Sequence, residues 1–189
     1  HDIRACCPAT NGIVIDNRLY TGFNFAGAEL GHFVLQHDGY PCSCGRRGCF
    51  EVYASATALV RMTREKMAEC PDSLLWEIAR EPESVNGRTA FDAMKRGDKA
   101  AKEVISAYTA YLASGITSIV NIFQPEVVCI GGGISREGEV LLKPVREIFD
   151  REDYARNSRR RTKIVSAALG NDAGTIGAAA PAGVDQPEF

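Results

Sequence analysis

An α/β fold with helices on a mixed sheet is the class this sequence predicts, and three observations predict it. Short apolar runs of strand length stand near both ends, at Gly12 to Thr21, Val127 to Ile130 and Lys163 to Ala167. Helical periodicity fills the middle, from Glu51 to Val120. From Val127 onward strand and helix alternate, which is the pattern of parallel βαβ units. Composition agrees: 45% of the 189 residues are hydrophobic and 24% charged, enough for a core and too little charge for a disordered chain. Lys+Arg 22 against Asp+Glu 24 leaves a net charge of −2, which gives no footprint for nucleic acid. No apolar run is long enough to cross a membrane, and no signal peptide is readable at the start, so a soluble protein is expected.

The elements follow in order. Residues 1–11 lack periodicity and are expected to form an irregular leader. Ile13, Val14 and Ile15 predict a strand, Asp16-Asn17 a two-residue turn, and Leu19-Tyr20 the return strand of a hairpin. His32 to Gln36 is short enough for another strand. Glu51 to Glu69 places Ala54, Ala58, Leu59, Met62 and Met67 near one helical face. Ser73 to Arg80 and Thr89 to Lys95 predict short helices. Asp98 is an N-cap for a long helix that carries Val104, Ile105, Tyr108, Leu112, Ile116, Ile119 and Val120 at helical spacing, and Pro125 stops it. Tyr108, Tyr111 and Phe123 are read as core. Val127 to Ile130 is continuous and apolar, so burial on both faces is expected, with Cys129 a small buried hydrophobe. Gly131-Gly132-Gly133 turns the chain into a helix over Glu137 to Phe149. Lys163 to Ala167 is a further strand, and Ala173 to Ala180 a helix of small residues. Arg159-Arg160-Arg161 with Lys163 reads as a solvated basic stretch. Residues 12–180 form one folded unit, and 181–189 a tail.

Seven cysteines, an odd number unevenly spread, make a poor disulfide framework and fit a reducing cytoplasm. Three of them, Cys42, Cys44 and Cys49, crowd into one loop with Gly45 and Gly48. Residues two apart in an extended stretch point the same way, so Cys42 and Cys44 can share one ion. The glycines permit the reversal that returns Cys49 to it. With His32 the set is three thiolates and an imidazole, a closed structural zinc set with no position left for an activated water. Thiolates argue against Mg²⁺ or Ca²⁺ at these atoms. His37 is a rival ligand of lower weight.

Glu29 and Glu51 flank this set. A metal on one ring nitrogen of His32 leaves the proton on the other. Two carboxylate acceptors and one imidazole donor then suit the hydroxyls of a sugar ring, each of which donates and accepts. By spacing alone, the two acids read equally well as solvated surface groups.

Ala28-Glu29-Leu30-Gly31-His32, then Gly39, then Cys42-x-Cys44-Gly45-x-x-Gly48-Cys49-x-Glu51 resembles the signature of the ROK family (repressors, open reading frames and sugar kinases). The resemblance continues collinearly through Gly12 to Asp16, Pro125 to Ser135 and Asp172 to Ala179. It implies a ribonuclease-H-like, actin-like ATPase lobe with a zinc loop. It implies ATP and Mg²⁺ as the needs of a full-length member, a hexose or amino sugar as substrate, and homo-oligomers. By position, Glu29, His32 and Glu51 would bind sugar, and His32, Cys42, Cys44 and Cys49 would hold zinc. Gly131, Gly132 and Gly133 would line the adenosine side of the nucleotide site, a role that glycine at a strand-to-helix turn suits. As a bare motif the turn is no more than a tight βα connection.

Three features of the family are not found. No DxGxT phosphate turn or catalytic Asn-Asp pair occurs, so no catalytic residue is assigned. Cys7-Pro8-Ala9-Thr10-Asn11 stands where a glycine-rich phosphate turn would precede the hairpin. The chain is therefore expected to be the C-terminal lobe of a glucokinase-like sugar kinase, inactive by itself. The rival expectation is the sugar-sensing part of a transcriptional regulator of the same family, whose members add an N-terminal winged helix-turn-helix.

Overall fold

The computed structural model describes residues 3–7 and 12–167. The expected helix over 173–180, the Asp172 to Ala179 motif, the tail and residues 8–11 lie outside the described residues.

The mixed α/β class is observed. Among the described residues, five strands, β1 (Ile3–Cys7), β2 (Gly12–Ile15), β3 (Arg18–Leu19), β4 (Val127–Ile130) and β5 (Lys163–Ser166), form one sheet in the order β3-β2-β1-β4-β5. β1 runs antiparallel to β2 and parallel to β4, and β5 is parallel to β4. The sheet therefore corrects the irregular leader: β1 is its central strand. No alternation marks Ile3 to Cys7, because a strand paired on both edges takes its stability from its neighbours rather than from its own pattern.

The hairpin forms as expected. Asp16 and Asn17 hold φ of 51° and 62°, both left-handed, as a two-residue turn between strands requires. The return strand sits one residue earlier than expected, with Val14 opposite Leu19 and Ile15 opposite Arg18. β4 corrects a second expectation. Val128 and Ile130 are buried while Val127 and Cys129 are half-buried, so one face packs fully and the other partly.

Among the described residues, the α-helices that follow the hairpin and the cysteine loop are α1 (Glu51–Ala54), α2 (Ala56–Glu69), α3 (Leu74–Ala79), α4 (Thr89–Lys95), α5 (Lys99–Phe123) and α6 (Glu139–Glu152). Helix α5 packs against α1, α2, α4 and α6 and is the hub of the helical layer. Its N-cap is Asp98, whose carboxylate accepts from the Ala101 amide at 2.7 Å, and it ends at Gln124 in the left-handed region, before Pro125. One core joins the sheet to the helices: Ile13, Val128 and Ile164 from the strands, Ile116, Ile119 and Val120 from α5, and Leu141, Val145 and Phe149 from α6. Among the aromatics read as core, Tyr108 is fully buried and Tyr111 and Phe123 half-buried.

Elsewhere the elements depart from expectation in three places of consequence. Glu51 to Glu69 is two helices, because Ser55 takes an extended conformation and its side chain caps α2 by accepting from the Ala58 amide. The Ala54 carbonyl then accepts from the buried Tyr108 hydroxyl at 2.8 Å. After the glycine turn, Gly133–Glu137 is a 3₁₀ helix, and α6 begins only after Gly138, at φ 56°. The strand expected over His32 to Gln36 is instead a 3₁₀ turn, Leu30–His32, followed by a single bridge between Val34 and Cys49.

Candidate functional site

The cysteine loop is built by its backbone. The Leu35 and Gln36 amides both donate to the Gly48 carbonyl, and the Gly48 amide donates to Tyr40. Gly45 and Gly48 hold φ of 87° and 75°, and a Cβ on Gly48 would collide with the Gln36 carbonyl, so the reversal here needs glycine. Phe50 fastens the loop to the core: it is 1% exposed, stacks on Phe33 at 5.2 Å, and lies against Gly115 of α5, where a Cβ would strike its ring.

This frame brings His32, Cys42, Cys44 and Cys49 together, one ligand atom from each within 4.8 Å of every other. Cys44 Sγ lies 3.6 Å from Cys49 Sγ, and Cys42 Sγ lies 3.6 Å from His32 Nδ1. Arg46 Nη1 and the Cys49 thiol both approach the His32 carbonyl, at 3.1 and 3.7 Å, which fixes the backbone beneath the ring. The two best-placed thiols have different acidities. Burial pushes the Cys49 thiol up to about 12, with Cys44 and Cys42 adding to it. The Arg46 amide, hydrogen-bonded to Cys44, holds that thiol below its ordinary value. The four residues form a group that could hold a metal ion. His37, the rival ligand, stands apart and exposed, paired with Asp38 at 3.2 Å.

Of the two flanking acids, the structure brings one to the cluster. Glu51 opens α1, and its Oε2 lies 3.9 Å from both His32 Nδ1 and Cys42 Sγ. Glu29 is exposed, one 3₁₀ turn before His32, whose amide donates to the Glu29 carbonyl at 3.0 Å. Glu51 also borders a cavity of about 360 Å³ between the cysteine loop and α2, lined further by Tyr40, Val52, Ser55 and Arg61. The Arg61 guanidinium lies over the Tyr40 ring at 3.4 Å and pairs with Glu65 at 2.9 Å. Sequence reading passed over this trio, since an arginine on a helix face carries no local signal of a ring beneath it.

The glycine turn lies at the carboxyl end of β4, where open α/β sheets take their ligands. Gly132 has φ of 78°, and a Cβ on Gly133 would meet nothing within 4 Å. A cavity of about 580 Å³ opens there, lined by Gly133, Ile134, Arg136 and Glu137 together with Ala56, Gly87, Arg88 and Lys95. Lys95 and Glu137 pair across it at 2.6 Å. They are 42 residues apart, too far for any spacing pattern to have joined them. The basic stretch is only partly solvated. Arg159 and Arg160 are exposed, but Arg161 is bonded to the buried Asp153 and to Asp150, both at 3.0 Å.

The model of the ROK family matches residues 10–183. The chain belongs to the ROK family. Among its ROK relatives, the glucokinase of Thermotoga maritima is 42% identical over 169 residues, which is 89% of this chain and 53% of that protein. The xylose repressor of Caldicellulosiruptor bescii is 30% identical over 76% of this chain and 36% of its own length. The crystal structure of a ROK family glucokinase from Streptomyces griseus, in complex with glucose and AMPPNP, superposes with a TM-score of 0.87 at 31% identity, covering 96% of this chain and 60% of that one. The chain thus spans about half the length of the glucokinases it matches. Its ROK neighbours of known structure include sugar kinases and a transcriptional regulator, and the fold they share with this chain is the actin-like ATPase fold. Among the described residues, no helix is long and apolar enough to cross a membrane.

Proposed function

We propose that this chain is the sugar- and nucleoside-binding C-terminal lobe of an ATP-dependent, glucokinase-like hexose kinase of the cytoplasm. The observation that carries it is the His32–Cys42–Cys44–Cys49 cluster with the Glu51 carboxylate 3.9 Å from the His32 ring, in a chain 42% identical to a glucokinase.

The donor set fits zinc. A tetrahedral ion with bonds of about 2.3 Å to sulfur and 2.0–2.1 Å to nitrogen needs S···S edges of about 3.8 Å and N···S edges of about 3.6 Å. The two 3.6 Å separations come within a few tenths of these. Bound there, zinc would brace the loop and supply no activated water. His32 turns Nδ1 toward Cys42, so Nε2 keeps the proton and can donate to a sugar hydroxyl. Glu51 and Glu29 accept from neighbouring hydroxyls. Gly131, Gly132 and Gly133 give a nucleoside close approach to backbone at the end of β4. The two sites adjoin through α1 and α2. Glu51 faces the sugar, and Ala56, five residues on and just past the break at Ser55, lines the glycine-turn cavity. Phosphoryl transfer needs such adjacency.

The Asp base and the DxGxT phosphate turn that the family's kinases use are not among these 189 residues. Loss of a positioned base alone costs about 10²- to 10⁴-fold in rate, so the chain by itself transfers no phosphate at a useful rate. The test is metal content and glucose binding on wild type and His32→Ala. Both should fall together in the variant. Metal loss with unchanged glucose binding would separate the loop from the sugar site and overturn the reading.

The xylose repressor relative supports a second reading, the sugar-sensing part of a regulator. It predicts sugar binding without any response to ATP. On either reading a homo-oligomer is proposed from the family alone.

A further inference from the structure

The cavity at the glycine turn holds a carboxylate that the fold leaves half-used. The Glu137 side chain is only 8% exposed, and its Oε2 accepts from Lys95 Nζ at 2.6 Å. Among the described residues, no donor reaches its Oε1. A nearly buried carboxylate oxygen without a donor is costly, and a ligand that brings one is favoured accordingly. The ligand is not a metal ion. Lys95 already sits on the carboxylate, and Arg88 and Arg136 line the same cavity; Asp92 pairs with Arg88 at 4.0 Å and with Lys95 at 3.9 Å, so three cations face two carboxylates and the local field favours negative charge. What fits is an anionic molecule that also carries a hydroxyl donor close to backbone.

We propose that Glu137, held in place by Lys95, recognises the ribose hydroxyls of the bound nucleotide and makes this cavity selective for ribonucleotides over dideoxyribonucleotides. The inference rests on the nucleotide-binding reading above. The remaining walls agree with it. Gly133 leaves open space where a side chain would stand, so a sugar or a flat ring can approach the main chain. Ile134, 8% exposed, is the apolar residue beside it. Arg88 is carried by a turn in which its amide donates to Asn86 Oδ1 and the Asn86 amide donates to Thr89 Oγ1, so its guanidinium stands on a fixed backbone. Glu137 and Lys95 come from different elements, so the pair also sets the width of the cavity between α4 and the 3₁₀ turn.

The experiment is a titration of the 189-residue chain with ATP and with 2′,3′-dideoxy-ATP, followed by the amide resonances of Gly131, Gly132 and Gly133. ATP should bind at least about tenfold more tightly, since a site built around a hydroxyl rejects the analogue lacking it. Glu137→Met should reduce the preference to within about twofold while leaving dideoxy-ATP binding in place. If that variant does not fold, Glu137→Gln, which keeps the shape, should lower the preference at least about threefold. Equal affinity of the wild type for both nucleotides overturns the ribose assignment and leaves the nucleotide site standing. An equal loss of both ligands in Glu137→Met overturns it too, because Glu137 would then only shape the cavity. No response of these amides to either nucleotide removes the nucleotide reading itself.

Discussion

Cys49 and Asp98 are held off their ordinary acidities in opposite directions, and each shift has a consequence that can be measured. A thiol pushed up to about 12 by burial keeps its proton at neutral pH unless a cation takes its place. Zinc uptake should therefore release protons, and affinity should climb as pH rises from about 6 to 8. Calorimetry in buffers of different ionisation enthalpy checks this, and no proton release would count against Cys49 as a ligand. Asp98 runs the other way. Burial pulls its carboxyl up, but the Ala101 and Leu74 amides, the Ser73 hydroxyl and the Ala100 amide together hold it below 3.8. The folded value is depressed, so its stabilisation is present above the unfolded value and is lost as pH falls through the folded one. Asp98→Ala should cost about 0.5–2 kcal/mol at pH 7, the usual loss of an N-cap, or more because Leu74 loses its acceptor as well. The gap between wild type and Asp98→Ala should close as the pH drops below about 4, as thermal melts across pH would show.

At the scale of elements, the cysteine loop depends on a helix more than 60 residues further along the chain. Phe50 follows the last cysteine and fits only because residue 115 has no side chain. Gly115→Ala is expected to push the Phe50 ring outward and cost about 1–3 kcal/mol, an overpacking penalty. It should also weaken zinc binding, which metal titration would reveal; destabilisation with unchanged zinc affinity would mean that the loop does not need its anchor. The break between α1 and α2 is a related case. Ser55 takes the Ala58 amide and Tyr108 takes the Ala54 carbonyl, so the interruption leaves both of these groups bonded. Across the break, Glu51 borders one cavity and Ala56 another.

Across the whole molecule, the sheet carries the glycine turn at one end of β4, while the long excursion between β3 and α1 carries the cysteine loop. The core reaches that excursion through the buried Leu30 and Phe50 and the partly buried Ala28, Phe33 and Leu35. A bound ion should therefore supply much of its order. Removing the ion with a strong chelator is expected to lower the melting temperature, by an amount equivalent to about 4 kcal/mol when free zinc stands near 1,000 times its Kd. Helix α5 and the sheet should keep their amide protection while residues 30–49 lose theirs. Hydrogen exchange measures both, and uniform loss throughout would show that the loop and the core unfold as one.

Local chemistry was legible without any structure. The Asp16-Asn17 turn, the Asp98 cap, the stop at Pro125, the α4 boundaries and the His32–Cys42–Cys44–Cys49 cluster all depend on residues near one another in the chain, where turn preference, capping and residue spacing act directly. Contacts made across the fold were not. β1 has no pattern of its own and exists by pairing with β2 and β4. The helix break at Ser55 needs a tyrosine 54 residues beyond Ala54, and the Lys95–Glu137 pair spans 42. Arg161 belongs to a run that reads as solvated, yet it is bonded to Asp153, which is buried beside it. Side-chain chemistry is written in the chain, but which distant group meets it depends on how strands and helices pack, and packing is settled only when all of them are in place.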